Sequence, residues 1–172
     1  TKWSWYLVKG FVHSCFADHS EILLLEMGVD QPGDMDFLLN VVRPDISVLT
    51  SVSHTHMNDY QFESLDAVFN EKRKLVDALG QEGIAVLSLD NEYCANLAKE
   101  KKKAKNKVVT FGRDSKADYW GGRYKENLEG SSFQLNYKGG KVSVESPVVG
   151  EQHASVMLAA LACAAAVGMD VE

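Results

Sequence analysis

The chain has 172 residues, of which 45% are hydrophobic, 24% are charged and only three are proline. These values are typical of a globular protein and exclude a disordered or collagen-like chain. A chain of this length buries roughly 70% of the surface exposed on unfolding, so one domain is expected without disulfides or a structural metal.

The charge and hydropathy of the chain exclude two classes of partner. The net charge of −6 arises from 18 basic and 24 acidic residues. Because an acidic chain is poorly suited to neutralising a phosphate backbone, no nucleic-acid partner is expected. The longest uncharged apolar stretch, Ala154 to Val167, is shorter than the roughly 20 residues that a spanning helix needs, so no membrane span is expected.

The cysteines predict the cellular compartment, and the first residue predicts that the chain is a piece of a longer protein. Cys15, Cys94 and Cys163 lie far apart and form no CxxC pair, which argues against a disulfide framework or a thiolate zinc site and predicts a cytoplasmic location. The chain begins at Thr1 and carries no signal-peptide pattern, so we expect it to be a piece of a longer protein. Nothing in the sequence indicates an oligomeric state.

The first predicted elements are a helix, a strand, a helix and a strand. Apolar side chains at helical spacing predict a short helix within Trp5 to Phe16. Glu21 to Met27 holds the apolar run Ile-Leu-Leu-Leu, which is typical of a central parallel strand buried on both faces. Asp34 to Val42 opens with acids suited to a helix N-terminus, and after a proline break Ile46 to Val52 is predicted to be a strand.

The middle of the chain continues this alternation. Ser64 to Leu79 has one apolar stripe and a serine at the N-cap position, which predicts an amphipathic helix. Gly83 to Leu89 is predicted to be a strand, Tyr93 to Lys101 a short helix and Val108 to Phe111 a strand. Strands separated by helices of this length predict a parallel sheet with right-handed crossovers.

The pattern changes between residues 118 and 149. Short alternating segments surround the pairs Gly121-Gly122 and Gly139-Gly140, both interpreted as turns, which predicts hairpins. Gly150 to Val167 is predicted to be an Ala-rich helix packed against a sheet. The predicted fold class is therefore α/β, a mostly parallel sheet flanked by helices with a small antiparallel sheet inserted near residues 118–149.

Two histidines follow a predicted strand, at the end of a parallel sheet where ligands usually bind. His54 and His56 are two residues apart and could share a metal, or they could simply line a loop. The run from His54 is similar to the HxHxDH motif of metallo-β-lactamase-like hydrolases. In this chain, however, Asn58 and Asp59 stand where that motif has Asp and His.

The other charged candidates have ordinary structural explanations from the sequence alone. Glu26 ends a predicted strand, where a carboxylate either binds a cation or caps a backbone amide. Lys72 lies within a charged stretch that is typical of a solvated helix face, and the lysine-rich run from Lys99 to Lys107 is typical of a solvated helix end. No GxxxxGK[ST] or GxGxxG phosphate-binding motif is present.

Four segments together resemble the central domain of the Mur ligases in order and spacing. They are LLLEMGVDQPGDM at 23 to 35, RPDISVLTSVSHTHM at 43 to 57, FESLDAVFNEKRKL at 62 to 75 and GEQHASVMLAALACAAAVG at 150 to 168. The resemblance extends from about Glu21 to Val171. It is strongest toward members that add D-alanyl-D-alanine.

The resemblance implies an ATP-dependent ligase of peptidoglycan precursor synthesis. In that family a substrate carboxylate attacks the γ-phosphate of ATP, and an amine then takes the acyl phosphate to form an amide. The implied cofactors are ATP and Mg²⁺, and the implied substrates are a UDP-muramoyl-peptide and a D-amino acid dipeptide. Such chemistry depends on positioning and charge neutralisation more than on covalent catalysis.

The resemblance also assigns roles to individual residues. Glu26 matches an acid that binds Mg²⁺, and His56 matches a histidine that helps to hold a second Mg²⁺. Lys72 matches a lysine that the family carbamylates to a carboxylate-like metal ligand, so His56 and Lys72 are the candidate catalytic residues. The candidate nucleotide-contacting residues are Asp90, Asn91, Gln152 and His153.

The chain also departs from the family pattern. Ser88 stands where an NxD[DN] motif begins with Asn, and Val156 stands where a nucleotide motif has Asn. The family's GxxGK[ST] phosphate loop and its C-terminal domain are not found in residues 1–172. We therefore expect a single central domain that is inactive alone, or alternatively a noncatalytic module that binds a nucleotide sugar or a partner subunit. Related ligases that act on folate, cyanophycin or lipid-linked muramoyl substrates are alternative members of the superfamily that the sequence does not separate from this one.

Overall fold

A computed structural model describes residue 5 and residues 21–53 and 62–170. The described ranges contain four helices and six strands. The helices are α1 (Asp34–Val41), α2 (Leu65–Asp77), α3 (Glu92–Lys103) and α4 (Glu151–Ala166). The strands are β1 (Ile46–Leu49), β2 (Ile84–Ser88), β3 (Lys107–Gly112), β4 (Tyr119–Asn127), β5 (Gly130–Tyr137) and β6 (Gly140–Ser146).

The six strands form one sheet in the order β1-β2-β3-β4-β5-β6. Neighbouring strands from β1 to β4 are parallel, and Val48, Val86 and Val109 lie side by side across the first three. The strands β4, β5 and β6 are antiparallel. The predicted α/β fold and its hairpins are confirmed, with the antiparallel strands continuing the main sheet.

Helices cover both faces of the sheet. Apolar side chains of α1, α2 and α3 pack on one face, where Leu49, Leu87 and Leu97 are buried. Helix α4 covers the other face, where Leu158 packs with Phe111 and other buried residues. In the described ranges, no helix is both long enough and apolar enough to cross a membrane.

The interpretation of Gly121-Gly122 as a turn is wrong, because both residues lie inside β4. A Cβ atom at Gly121 would lie 3.0 Å from Leu158 Cδ1 and 3.3 Å from Phe133 Cδ2. The absence of a side chain therefore allows α4 to approach the sheet closely. The other pair, Gly139-Gly140, does lie at the turn between β5 and β6, as predicted.

The prediction of a buried strand at Glu21 to Met27 is also wrong, since this segment forms no regular element. The side chains of Leu23 and Leu24 are 73% and 87% exposed. A strand buried on both faces needs a hydrogen-bonded neighbour and two covering layers. The segment has neither in the described ranges, where β1 pairs only with β2. The predicted helix within Trp5 to Phe16 lies outside the described residues apart from Trp5.

Asp118 fixes the short connection between β3 and β4. Its Oδ2 atom accepts hydrogen bonds from the backbone N–H of Thr110 at 2.8 Å and from Thr110 Oγ1 at 2.6 Å. Burial acts to raise the pKa of Asp118, but the hydrogen bonds from Thr110 and the nearby Lys102 outweigh it and hold that pKa below its ordinary value.

This depressed pKa makes part of the stability pH-dependent. The contribution of Asp118 is fully present above the unfolded-state pKa of about 3.9 and is lost as the pH falls through the lower folded-state pKa. We expect Asp118→Asn to lower the free energy of unfolding at pH 7 and to weaken its decline in acid, as measured by urea titration across pH. Asp114→Asn is the control, because Asp114 contacts Lys116 in its own turn. An unchanged acid profile in Asp118→Asn would contradict the prediction.

Candidate nucleotide and metal site

The candidate site lies beyond the carboxyl ends of the parallel strands. Asp90 and Asn91 follow β2, Arg113 follows β3, and the first turn of α4 adjoins them. This is the edge at which open α/β sheets bind ligands. Asp90 and Asn91, which the family resemblance proposes as nucleotide contacts, therefore lie at this edge.

Asp90 joins three elements at this edge. Its Oδ1 atom accepts a hydrogen bond from the backbone N–H of Arg113 at 2.8 Å, and its Oδ2 atom accepts one from Ser155 Oγ on α4 at 3.4 Å. The Arg113 guanidinium lies 3.7 Å from Asp90 Oδ2 and donates to Glu151 Oε1 at 3.2 Å. The ends of β2 and β3 are thereby linked to the start of α4.

Gly112 makes this linkage sterically feasible. Its φ angle is +153°, and a Cβ atom there would lie only 2.8 Å from Asp90 Oδ1. Any side chain at this position would push the carboxylate away from the Arg113 N–H, so the close approach of the two strand ends requires glycine.

Asn91 uses both ends of its side-chain amide within the fold. Its Oδ1 atom caps α3 by accepting from the backbone N–H of Cys94 at 3.3 Å. Its Nδ2 atom donates to the carbonyl oxygen of Val52 at 3.0 Å, which ties the chain beyond β1 to the start of α3. Asn91 therefore shapes the edge of the site through the backbone.

Gln152 and His153 lie in the first turn of α4. Gln152 is exposed and His153 is half-buried, and the backbone N–H of His153 donates to the Gly150 carbonyl at 2.9 Å. Unpaired N–H groups and the helix dipole make the first turn of a helix favourable for anionic groups. Both residues lie next to Glu151, whose carboxylate pairs with Arg113 at the strand ends.

Lys72 lies on α2 and is half-buried, so it is less exposed than the predicted solvated helix face implies. Burial raises the pKa of the Cys94 thiol to about 12, and the Lys72 cation opposes this rise. Cys94 lies in the first turn of α3, the helix that Asn91 caps.

Of the three predicted metal ligands, the structure describes Glu26 and Lys72. Glu26 is exposed on an irregular segment, and His56 lies outside the described residues. No group of three or more His, Cys, Asp or Glu side chains in the described part of the chain is arranged to hold a metal ion.

The chemistry of the donors still fits Mg²⁺. This ion usually takes one or two protein carboxylates and completes its octahedral shell with water and substrate phosphates. Glu26 would supply one carboxylate, and Lys72 would supply a second oxygen donor only as a carbamate, because an ammonium group has no lone pair.

Three site residues were missed by the sequence reasoning. Arg113 could have been found because it follows β3 as Asp90 follows β2. Ser155 lies one turn into α4, where a small polar residue carries no distinctive signal. Glu71 was taken as part of a solvated charged face, yet it is buried and only 4% exposed.

The fold is an α/β domain in which linked polar residues gather at the carboxyl ends of the parallel strands. The chain belongs to the Mur ligase middle domain family, whose match covers residues 9–164. The resemblance noted from the sequence is therefore confirmed at the level of the family.

Curated relatives of the chain include UDP-N-acetylmuramoyl-tripeptide--D-alanyl-D-alanine ligases and a UDP-N-acetylmuramoyl-L-alanyl-D-glutamate--2,6-diaminopimelate ligase of Chlamydia abortus. The protein of Bacillus subtilis is 26% identical over 155 residues, which are 90% of this chain and 32% of that protein. The protein of Borreliella burgdorferi is 30% identical over 132 residues, which are 73% of this chain and 26% of that protein. The chain thus spans about a third of the length of such relatives or less.

Solved structures show the same fold. The MurF ligase of Acinetobacter baumannii matches with a TM-score of 0.76 and 21% identity, covering 86% of this chain and 31% of that one. The MurF ligase of Thermotoga maritima in complex with ADP matches with a TM-score of 0.76 and 19% identity, covering 91% of this chain and 35% of that one.

Proposed function

We propose that this chain is the central domain of an ATP-dependent ligase that adds D-alanyl-D-alanine to a UDP-muramoyl-peptide. The observation that carries the proposal is the linked strand edge, where Asp90 joins Arg113 and Ser155 in a chain of the Mur ligase middle domain family. The names of the curated relatives support the choice of substrates.

In the proposed reaction the carboxylate of the UDP-muramoyl-peptide attacks the γ-phosphorus of ATP. The acyl phosphate forms and ADP leaves. The amine of the dipeptide then attacks the acyl carbon, phosphate leaves with the C–O bond electrons, and the amine proton passes to solvent. Bound Mg²⁺ would neutralise charge on the phosphates. The task of this domain is to hold the reactants in line, which dominates catalysis of phosphoryl transfer.

The proposed metal-binding residues are Glu26, His56 and Lys72, with His56 and Lys72 also acting as catalytic residues. The neutral amine of Lys72 would attack CO₂ and lose a proton, which gives a carbamate. This change turns a cation into an anionic oxygen ligand, and that is the donor type Mg²⁺ prefers. The half-buried position of Lys72 shields such a group from bulk water.

The proposed nucleotide-binding residues are Asp90, Asn91, Gln152 and His153. Asp90 and Asn91 would act mainly by shaping the edge, because their side chains already bond to other parts of the chain. Residues outside these 172 would supply the phosphate loop and a C-terminal domain. We place the protein in the cytoplasm, since Cys94 and Cys163 are free thiols.

The test is a calorimetric titration of the full natural protein with Mg²⁺ and a nonhydrolysable ATP analogue. Binding that falls in both Glu26→Ala and Lys72→Ala is the expected result. Absence of nucleotide binding in the wild-type protein and in both variants would overturn the proposal in favour of a noncatalytic module that binds a nucleotide sugar or a partner subunit. ATP-dependent ADP release by the 172 residues alone would refute the expectation that they are inactive in isolation.

A further inference from the structure

Glu71 is the one charged side chain among the buried residues in the described ranges. Its Oε1 atom accepts hydrogen bonds from the backbone N–H groups of Gly33 at 3.0 Å and Met35 at 2.9 Å. Its Oε2 atom accepts one from Lys74 at 2.8 Å. A buried carboxylate is costly unless it is fully hydrogen-bonded, and here both oxygen atoms have partners.

These bonds supply a cap that α1 lacks in its own sequence. The N-cap residue of α1 is Gly33, which has no side chain to accept from the first N–H groups of the helix. Glu71 lies on α2 and follows Met35 by 36 residues in the sequence, and its side chain supplies that acceptor. It therefore attaches the start of α1 directly to α2.

The segment attached in this way leads back to Glu26. Asp34 folds the chain just before α1 by accepting from the N–H groups of Asp30 at 2.8 Å and Gln31 at 2.9 Å. Val29 and Met35 are 2% and 1% exposed, so both ends of this turn are packed into the core. Only two residues separate Val29 from Glu26.

Glu71 is also the immediate neighbour of Lys72 on α2. One peptide bond therefore joins Glu71, whose carboxylate holds the segment after Glu26, to Lys72, whose amine is proposed to form a carbamate. The regular helix α2 fixes Lys72 relative to Glu71, and Glu71 holds Gly33 and Met35, so a shift of that segment relative to α2 would also shift the chain that leads to Glu26.

We propose that Glu71 is a positioning residue that sets the distance between the two metal-binding positions Glu26 and Lys72. The inference rests on the proposed function, since it takes those two residues as Mg²⁺ ligands. The proposed role depends on the length of the Glu71 side chain, which reaches two backbone N–H groups, more than on the charge of its carboxylate.

Two substitutions separate reach from charge. Glu71→Gln keeps the length and one oxygen acceptor for the two N–H groups but loses the charge and the acceptor for Lys74, which keeps its pair with Asp36. Glu71→Asp keeps the charge but is one methylene too short to reach both N–H groups. Asp77→Asn is the matched control, since Asp77 lies on the same helix and pairs with Arg73 and Lys101 away from α1.

The probe is Mn²⁺ alone, titrated into the full natural protein and followed by electron paramagnetic resonance. We expect Glu71→Asp to lower Mn²⁺ affinity roughly tenfold, as loss of a residue that orients a ligand does in other metal sites. Glu71→Gln and Asp77→Asn should bind Mn²⁺ nearly as wild type does. Amide exchange at Met35 should accelerate in Glu71→Asp and much less in Glu71→Gln.

Three other results would overturn this inference, and one of them would overturn the proposed metal site as well. Loss of affinity in Glu71→Gln with normal binding in Glu71→Asp would overturn the inference, because charge would then be the property that matters. Normal binding in Glu71→Asp, while Glu26→Ala and Lys72→Ala bind poorly, would overturn the inference and leave the metal site intact. Unchanged binding in Glu26→Ala and Lys72→Ala would overturn the proposed metal site and this inference together.

Discussion

Replacing Lys72 by alanine in the full natural protein is expected to lower the rate of ATP-dependent amide formation roughly 100-fold or more, because loss of even an outer-shell partner of a metal ligand costs up to about 100-fold. The physical reason is that the carbamate oxygen would be lost from the metal site while the positions of α2 and α3 stay unchanged. Lys72→Glu should retain more activity than Lys72→Ala, since it restores an anionic oxygen on a shorter side chain. Initial rates of ADP release at saturating ATP measure both effects.

A spectroscopic measurement makes this prediction independent of turnover. In ¹³C-labelled bicarbonate, wild-type protein should show a carbamate carbon resonance in its NMR spectrum that is absent from Lys72→Ala. Lys99→Ala is the control, because Lys99 is an exposed lysine on α3. A carbamate resonance that persists in Lys72→Ala, or full activity of that variant, would contradict the assignment.

The helices and the inner strands could be predicted because their signals are local. The N-cap at Ser64 accepts from the N–H of Ala67 at 3.1 Å, as the sequence pattern indicated, and α2 follows directly. The strand at Ile84–Ser88 has four consecutive buried side chains, which matches its continuous apolar sequence. Such elements depend on residues close in sequence, and the pattern of apolar spacing reports them directly.

Two errors arose where structure depends on partners distant in sequence. The apolar run after Glu21 has the composition of a central strand, but composition cannot supply the neighbouring strand that it needs. Gly121 was interpreted as a turn residue because glycine is common in turns. The structure instead explains the glycine by the close approach of Leu158 from α4, which leaves little room for a side chain. In both cases the deciding contact lies outside the local sequence window.

The candidate site was only partly predictable for the same reason. The rule that ligands bind at strand ends was applied to the histidines after β1, whereas Asp90 and Asn91 were chosen from the family resemblance; the fold places both directly after β2, at that same edge. That rule does not show that Asp90 bonds to Ser155, 65 residues later, or that Glu71 caps a helix that precedes it. Such bonds follow from the packing of α4 on the sheet and of α1 against α2, and they carry no signature in the sequence.

Replacing Leu158 by alanine is expected to lower the free energy of unfolding by about 3 kcal/mol, the usual cost of a large-to-small change in a core. Leu158 is fully buried between α4 and the sheet, and its Cδ1 atom faces Gly121. The substitution leaves a cavity at this contact. Urea unfolding of the wild-type and variant proteins measures the loss, and Val156→Ala on the exposed side of α4 is the control, with an expected change within about 0.5 kcal/mol.

The contact between Gly121 and Leu158 also predicts that Gly121→Ala changes the free energy of unfolding in opposite directions in the wild-type and Leu158→Ala proteins. In wild type, Gly121→Ala should be neutral or destabilising, because Leu158 must move a few tenths of an ångström to admit the new methyl group. In the Leu158→Ala background the methyl group should fill part of the cavity and recover stability. Additive effects in this double-mutant cycle would contradict the packing described. Because Gln152, His153 and Ser155 lie on the same helix, nucleotide-analogue binding should weaken in Leu158→Ala and recover with Gly121→Ala.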